Sequence, residues 1–268
     1  MRAKRFFAIY AAFAYAFLYI PIIVVVVLAF NSGRQVLNWE GFSTKWFGEA
    51  LRDPTITEPL RNSLVVAVGT AVIACVVGTA LALALSRMRP RVRAPVDAIV
   101  YMTLVTPEIV FGISALILFV QAGIPLGLNT ILVAHAVFNI SVVILIVRAR
   151  FVGMSADLEE ASYDLGVPPL KTFWRVTLPR LSPAIFAGGL LAFTFSFDDF
   201  LTSFFVSGAG SPTLPLRIFS SLRFGVSPVI NATAVMILAL TLAAVIVAYV
   251  VLRRSSGQRA GDIPTLPA

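Results

Sequence analysis

The sequence predicts an all-α, polytopic membrane protein with six transmembrane helices and one long helical loop. Three observations carry that expectation. The 268 residues are 59% hydrophobic and only 13% charged, with a mean hydropathy of +0.92, where a soluble domain is roughly 45–50% apolar. Six apolar stretches are each long enough to cross a hydrocarbon layer of about 30 Å as a helix. The basic residues gather at alternate ends of these stretches, as cations that resist translocation do.

The stretches lie near residues 6–30, 60–86, 96–120, 129–149, 183–206 and 229–252. The first follows Arg2, Lys4 and Arg5, as a signal peptide would. Its apolar run exceeds the usual 7–15 residues and no A-x-A site closes it, so it is expected to stay as an anchor. With the N-terminus inside, most of the 21 basic residues fall on the cytoplasmic face, including Arg87, Arg89, Arg91, Arg93, Arg148, Arg150, Lys171, Arg175, Arg180 and Arg253. Arg34, Lys45, Arg52, Arg61, Arg217 and Arg223 are expected outside. Both termini are then cytoplasmic. The net charge of +8 calls for anionic lipid headgroups against loops such as "RMRPRVRAP" and requires no nucleic acid.

The outward segment from Asn31 to Pro59 is polar, and Trp39, Trp46 and Phe47 near its middle predict a short interfacial helix. "GIPLG" reads as a tight turn. The division expected is a transmembrane domain over 1–252 and a cytoplasmic tail over 253–268, whose "SSGQRAGDIPTLPA" lacks apolar periodicity. Cys75 is the only cysteine, so neither an internal disulfide nor a Cys-rich metal site is possible. His135 is the only histidine, and a lone histidine in a helix is expected to be packed or hydrogen-bonded rather than catalytic. No metal ligand set is expected.

The longest cytoplasmic loop spans about 150–182. In it "SADLEEASYDLG" reads as a short helix. Ser155 can cap it, Glu159 and Glu160 sit in the early turns where the macrodipole favours acids, and Gly166 can close it. A second short helix can start after "VPP", since Pro168 and Pro169 suit first-turn positions. The two make a compact helical elbow.

Within the elbow, Glu160, Ala161, Ser162 and Gly166 form E-A-S-x-x-x-G, and nine residues later Val176, Leu178 and Pro179 form V-x-L-P. This resembles the EAA motif of permease subunits of bacterial ABC importers, E-A-A-x3-G-x9-I-x-L-P, with Ser162 and Val176 as mild departures. The resemblance implies the type I ABC importer permease fold, with a coupling helix docking on a separate ATP-hydrolysing subunit. Glu160, Ala161, Ser162, Asp164, Gly166, Leu178 and Pro179 would serve that docking. The chain has no G-x-x-x-x-G-K-[ST] phosphate-binding loop and no nucleophile with a base placed to serve it. It is therefore expected to be non-catalytic and to bind no cofactor, ATP and magnesium belonging to the partner.

Acids inside the spans pose the remaining question. Asp198 and Asp199 stand in "TFSFDDFLTSFF", and Glu108 follows Pro107 in "LVTPEIVFG" near the middle of the third span. A carboxylate at the centre of a span costs about 2.5–3.5 kcal/mol on insertion scales. No Lys or Arg is expected at comparable depth, so compensation must come from a partner subunit, a proton or cargo. Three roles are open: hydrogen-bonded structural acids, for which Asp199 on a stripe with Gly188, Ala192, Ser196 and Ser203 is the better candidate; proton relays; or cation-binding groups. An elongated di- or triamine would need separated carboxylates with aromatic surface between them, and Phe195, Tyr101, Phe193 and Phe197 are available.

The stretch from Ser196 to Ala232 is similar to that of spermidine/putrescine-type importer permeases, with the acidic pair, T-L-P and R-x-G-V-x-P-x-x-N-A. That likeness implies a multi-pass inner-membrane permease forming half of a polyamine pathway lined by Asp198, Asp199, Glu108, Phe195 and Tyr101. It further implies a second homologous permease, two ATP-binding subunits and a periplasmic substrate-binding protein. Permeases for ferric ion or other small solutes share the EAA loop, and a stand-alone proton-coupled carrier or channel is the rival from another class.

Overall fold

A computed structural model describes residues 2–35, 38–223, 225 and 227–257. The described residues are helical almost throughout: α1 (Arg2–Ala29), α2 (Lys45–Ala50), α3 (Pro54–Arg87), α4 (Pro90–Val105), α5 (Glu108–Gln121), α6 (Leu128–Val152), α7 (Asp157–Asp164), α8 (Pro169–Thr172), a π-helical turn (Phe173–Thr177), α9 (Leu178–Asp198), α10 (Leu201–Val206), α11 (Leu214–Leu222) and α12 (Pro228–Gly257). The expected tail is helical as far as Gly257, and 258–268 lie outside the described residues. Two compact units are distinguished: the described residues of Met1–Leu60 with Arg217–Leu242, and those of Arg61–Leu216 with Ala243–Ala268.

In the first unit α1 is apolar on every side beyond its basic start, and the most hydrophobic part of Ile9–Ala29 buries none of its residues within the chain. A helix of that kind is solvated by lipid or by another membrane chain. The loop after it is organised by Asn31. The Asn31 amide donates to the Gln35 and Asn38 carbonyls, its side-chain oxygen accepts from the Gly33 and Glu40 N–H groups, and its carbonyl accepts from the Trp46 indole at 2.7 Å. The helix expected around Trp46 is α2. Trp46 packs into a small core with Ala29 and Ala232, whereas Trp39 is exposed.

The second unit is built on α6, the most buried of the spans. Val143, Ile144 and Val147 of α6 share a core with Ala74, Ala82 and Leu85 of α3 and with Leu181 and Ala192 of α9. Small residues let these backbones approach, as membrane helices with little hydrophobic drive between them require. A Cβ added at Gly78 would meet Val143 Cβ at 2.9 Å and the Ile140 carbonyl at 3.2 Å, and one at Gly188 would meet Val143 Cγ2 at 3.4 Å. A second cluster joins Val66, Phe119, Ile131, Ala134 and Val206.

Two of the six expected spans are not continuous helices. The third, expected as one helix over 96–120, consists of α4 and α5, bent by 110° at the break. The reason lies in "TPE": a residue before proline is pushed from the α region toward the extended one, and proline lacks the N–H that would continue the ladder. Thr106 and Pro107 accordingly have ψ of 127° and 133°. The fifth, expected over 183–206, stops at Asp198. Asp199 is extended at ψ 124°, and α10 restarts two residues later. The acids expected in mid-helix thus stand at helix ends, so the 100° separation of neighbours on a continuous helix does not apply to them. Among the described residues five helices are long and apolar enough to span, and the α4–α5 pair makes a sixth crossing if its arms form one span.

The close α3–α6 contact yields a first prediction. Gly78→Ala should lower the stability of the detergent-solubilised protein by about 1–3 kcal/mol through overpacking against Val143. An unchanged thermal midpoint would show that the two helices are farther apart.

Candidate functional site

The two helix breaks line a single cavity of about 520 Å³, which includes Thr106, Glu108, Phe111, His135, Phe138, Asn139, Thr194, Phe195, Asp198, Asp199 and Thr202. Close packing of α5 on α10 brings the breaks together: a Cβ on Gly112 would stand 3.3 Å from Thr202 Cα. Breaking a helix at membrane depth releases backbone polar groups, which is tolerated where they line a cavity or find new partners.

The adjacent aspartates differ in environment. Asp198, the last residue of α9, is exposed toward the cavity, with Thr194 and Thr202 in the same lining. The Asp199 side chain is only 8% exposed. One of its oxygens, Oδ1, accepts the Ser203 N–H at 2.8 Å in the first turn of α10 and meets His135 Nε2 at 3.0 Å. A carboxylate that takes up a free N–H of a helix start lies where the local dipole favours negative charge. Glu108 comes to the same place from the first turn of α5, and its carboxyl lies beside that of Asp199.

His135 completes the cluster. It is 3% exposed, with Nδ1 2.7 Å from Ser196 Oγ and Nε2 also 3.2 Å from Ser203 Oγ. Ser196 in turn donates to Thr70 Oγ1 at 3.3 Å. One turn along α6, the Asn139 amide donates to the His135 carbonyl at 2.9 Å. Asn139 Oδ1 is buried with no hydrogen-bond partner among the described residues. An acceptor left so in a cavity wall is costly unless a donor visits it.

The structure therefore brings together four of the five residues expected on a pathway: Asp198, Asp199, Glu108 and Phe195. Tyr101 is on α4, exposed, and outside this lining. Phe193 and Phe197 stack on each other at 5.6 Å, away from the cavity. The aromatic wall instead runs Phe111–Phe138–Phe195, with centroids 6.4 and 6.3 Å apart. Sequence reasoning missed Phe111, Phe138, Asn139 and the partnership of His135. Asp199 has an internal hydrogen-bond partner that the sequence did not reveal, a histidine 64 positions earlier. A signal was present: His135 and Asn139 are i, i+4 polar residues in the middle of a mainly apolar helix.

The elbow is the second site. Gly166 has φ +75°; its N–H reaches the Tyr163 carbonyl at 2.8 Å, and the Val167 N–H reaches that of Ser162 at 3.1 Å. This is the Schellman closure in which glycine supplies the left-handed residue. Pro169 occupies the first position of α8 behind Pro168. Ser162 bonds Thr172 between the two short helices at 2.9 Å, and Arg180 donates to the Ser155 carbonyl at 3.1 Å. Glu159 accepts from Thr177 at 2.5 Å and pairs with Arg87 of α3 at 3.5 Å, tying α7 to α3 and to the π-helical turn that leads into α9. Arg148 of α6 and Arg93 both pair with Asp97. Glu160, Ala161, Asp164 and Pro179 are exposed, while Ser162 and Leu178 are half-buried. The elbow also exposes Leu158, Tyr163, Leu165, Leu170 and Trp174, an apolar element that the charge pattern did not reveal.

Comparison with known proteins agrees with this architecture. The family described as binding-protein-dependent transport system inner membrane component matches residues 74–256. The chain is 38% identical over 249 residues to the spermidine/putrescine transport system permease protein PotC of Escherichia coli (strain K12), covering 93% of this chain and 94% of that one. It is 39% identical over 256 residues to the putrescine transport system permease protein PotI of the same organism, covering 93% and 91%. Among solved structures, a chain of a bacterial ABC transporter involved in the import of the acidic polysaccharide alginate superposes with a TM-score of 0.66 at 22% identity, covering 95% and 98%, a likeness of fold.

The left-handed closure at Gly166 is open to test. Replacing it with alanine should cost the elbow about 1–2 kcal/mol and raise its proteolytic sensitivity between α7 and α8 while the spans stay protected. Equal cleavage rates would show that the turn does not need glycine.

Proposed function

The chain belongs to the family of inner membrane components of binding-protein-dependent transport systems, and we propose that it forms half of the membrane pathway of an ATP-driven polyamine importer. The observation that carries the substrate is the cavity. Asp198 and Glu108 present carboxyls at its edge, an aromatic wall lies beside them, and Asn139 offers an unpartnered acceptor oxygen. A polyamine matches each part: ammonium groups for the carboxyls and amide oxygen, methylenes for the rings, and cation–π attraction where an ammonium crosses a ring face. The names of the relatives PotC and PotI point the same way.

As a working assembly, this multi-pass inner-membrane protein pairs with a second homologous permease, two subunits that bind ATP and magnesium, and a periplasmic binding protein that delivers the substrate. Both termini lie in the cytoplasm. The α7–α8 elbow docks its exposed face on an ATP-hydrolysing subunit. Its bonds through Glu159 to α3 and to Thr177 at the base of α9 turn closure of that engine into rigid-body movement of α9, which lines the cavity, and of α3, which shares a core with it.

Asp198→Asn tests the substrate assignment. Loss of one charge-assisted contact, worth about 1.5–3 kcal/mol, should cut polyamine uptake by about tenfold or more at limiting substrate while the transporter still assembles. Unchanged uptake kinetics would refute a role for Asp198 in the pathway. Competition among putrescine, spermidine and ferric ion in the same assay separates polyamine carriage from carriage of a metal ion.

A further inference from the structure

Asp199, the deepest carboxyl in the cavity wall, is also the one most fully provided with partners. Its Oδ1 receives the Ser203 N–H and faces His135 Nε2. The hydrogen-bond inventory of His135 limits the proton placements. In the tautomer with a hydrogen on Nδ1, His135 donates to Ser196 Oγ at 2.7 Å and Ser196 donates on to Thr70 at 3.3 Å. Nε2 then either donates to an ionised Asp199, making an imidazolium–carboxylate pair, or accepts from a protonated Asp199, making a neutral pair. Both arrangements have a net charge of zero. The pair is enclosed, with side chains 3% and 8% exposed, and its surroundings come from α3 (Thr70), α9 (Ser196), α10 (Ser203) and α5, whose Glu108 carboxyl lies beside that of Asp199. Among the described residues no Lys or Arg lines the cavity.

From this geometry we infer that His135 is a positioning residue that cancels the charge of Asp199, leaving Asp198 and Glu108 as the two carboxyls that meet the cargo. His135 thereby sets how much positive charge the cavity accepts. The same pair fixes the break after α9, because Asp199 can bond Ser203 and His135 together only when the chain is extended at that residue. A cavity with three uncompensated carboxyls would hold a multiply charged amine too tightly to release it. With two, attraction and release are closer to balance. This inference rests on the polyamine reading for its transport readout but not for its structural one.

The experiment uses the complete transporter, assembled with its partner subunits, and compares wild type, His135→Gln, Asp199→Asn and the double variant. Glutamine keeps a donor of similar reach and removes the option of positive charge. His135→Gln should shift the competition between spermidine and putrescine toward the triamine by about tenfold, as one added negative charge at cavity distance predicts. Adding Asp199→Asn should return the ratio to that of wild type. The melting temperature of the assembled complex should fall for each single variant and fall by less than the sum for the double. An unchanged spermidine/putrescine ratio in His135→Gln, or strictly additive losses in the double variant, would overturn the pairing. If His135→Gln fails to accumulate in the membrane, recovery by Asp199→Asn supports the pairing and continued failure refutes it. Should the wild-type transporter carry neither amine, the polyamine reading falls, and the melting temperatures still decide whether His135 and Asp199 act as one unit.

Discussion

A carboxyl group taken out of water needs donors or opposite charge, and in hydrocarbon that need overrides the tendency of an apolar chain to continue as helix. The architecture around the cavity follows from it. On an unbroken fifth span the Ser203 N–H would bond the Asp199 carbonyl, and the side chain would lose that donor. Extending the backbone there lets one oxygen meet the start of α10 and the imidazole of α6 together. On the facing side, Pro107 breaks the third span and places Glu108 at the N-terminal end of α5, again where free N–H groups favour an acid. Two interruptions that would each be costly against lipid are set against one another, and the cavity is the space between them.

The same constraint distributes roles among the three acids. Asp199 is embedded and partnered, and the backbone geometry depends on it. Asp198, one residue away, is spared that duty because α9 ends on it and turns its carboxyl to the cavity. Glu108 stands between these cases. An adjacent pair of aspartates is thus one residue held by the fold and one turned to the cavity, a division that neither side chain would support if the helix ran through. The rings of Phe111, Phe138 and Phe195 supply the apolar surface that a methylene chain requires, and they come from three different helices.

Much of this was legible in the amino-acid order. Apolar length gave the spans, and the Ser155, Gly166 and Pro169 punctuation gave the elbow, because caps and turns are local chemistry. The small-residue stripe of Gly188, Ala192, Ser196 and Ser203 marked a buried face, and all four residues are buried. The breaks were not legible as breaks. Proline is tolerated inside many membrane helices, and whether Pro107 only kinks the chain or lets it bend by 110° also depends on distant packing, such as that of Gly112 on Thr202 of α10. Nor could His135 be joined to Asp199 from sequence, since their contact is made by the packing of α6 on α9. The apolar residues of the elbow, Leu158, Leu165 and Leu170, were visible but lay outside a motif read mainly for its acids and glycine.

Whether cargo passes beside these carboxyls is the central claim, and occupancy of the cavity tests it most directly. With Cys75 replaced by alanine, a cysteine introduced at Thr194 supplies a thiol in the cavity wall one turn before Asp198. In the assembled transporter, saturating spermidine or putrescine should slow the reaction of that thiol with a small thiosulfonate reagent, and an uncharged diol of equal length should not. Labelling rates that are indifferent to the amine would place the pathway elsewhere and contradict the account.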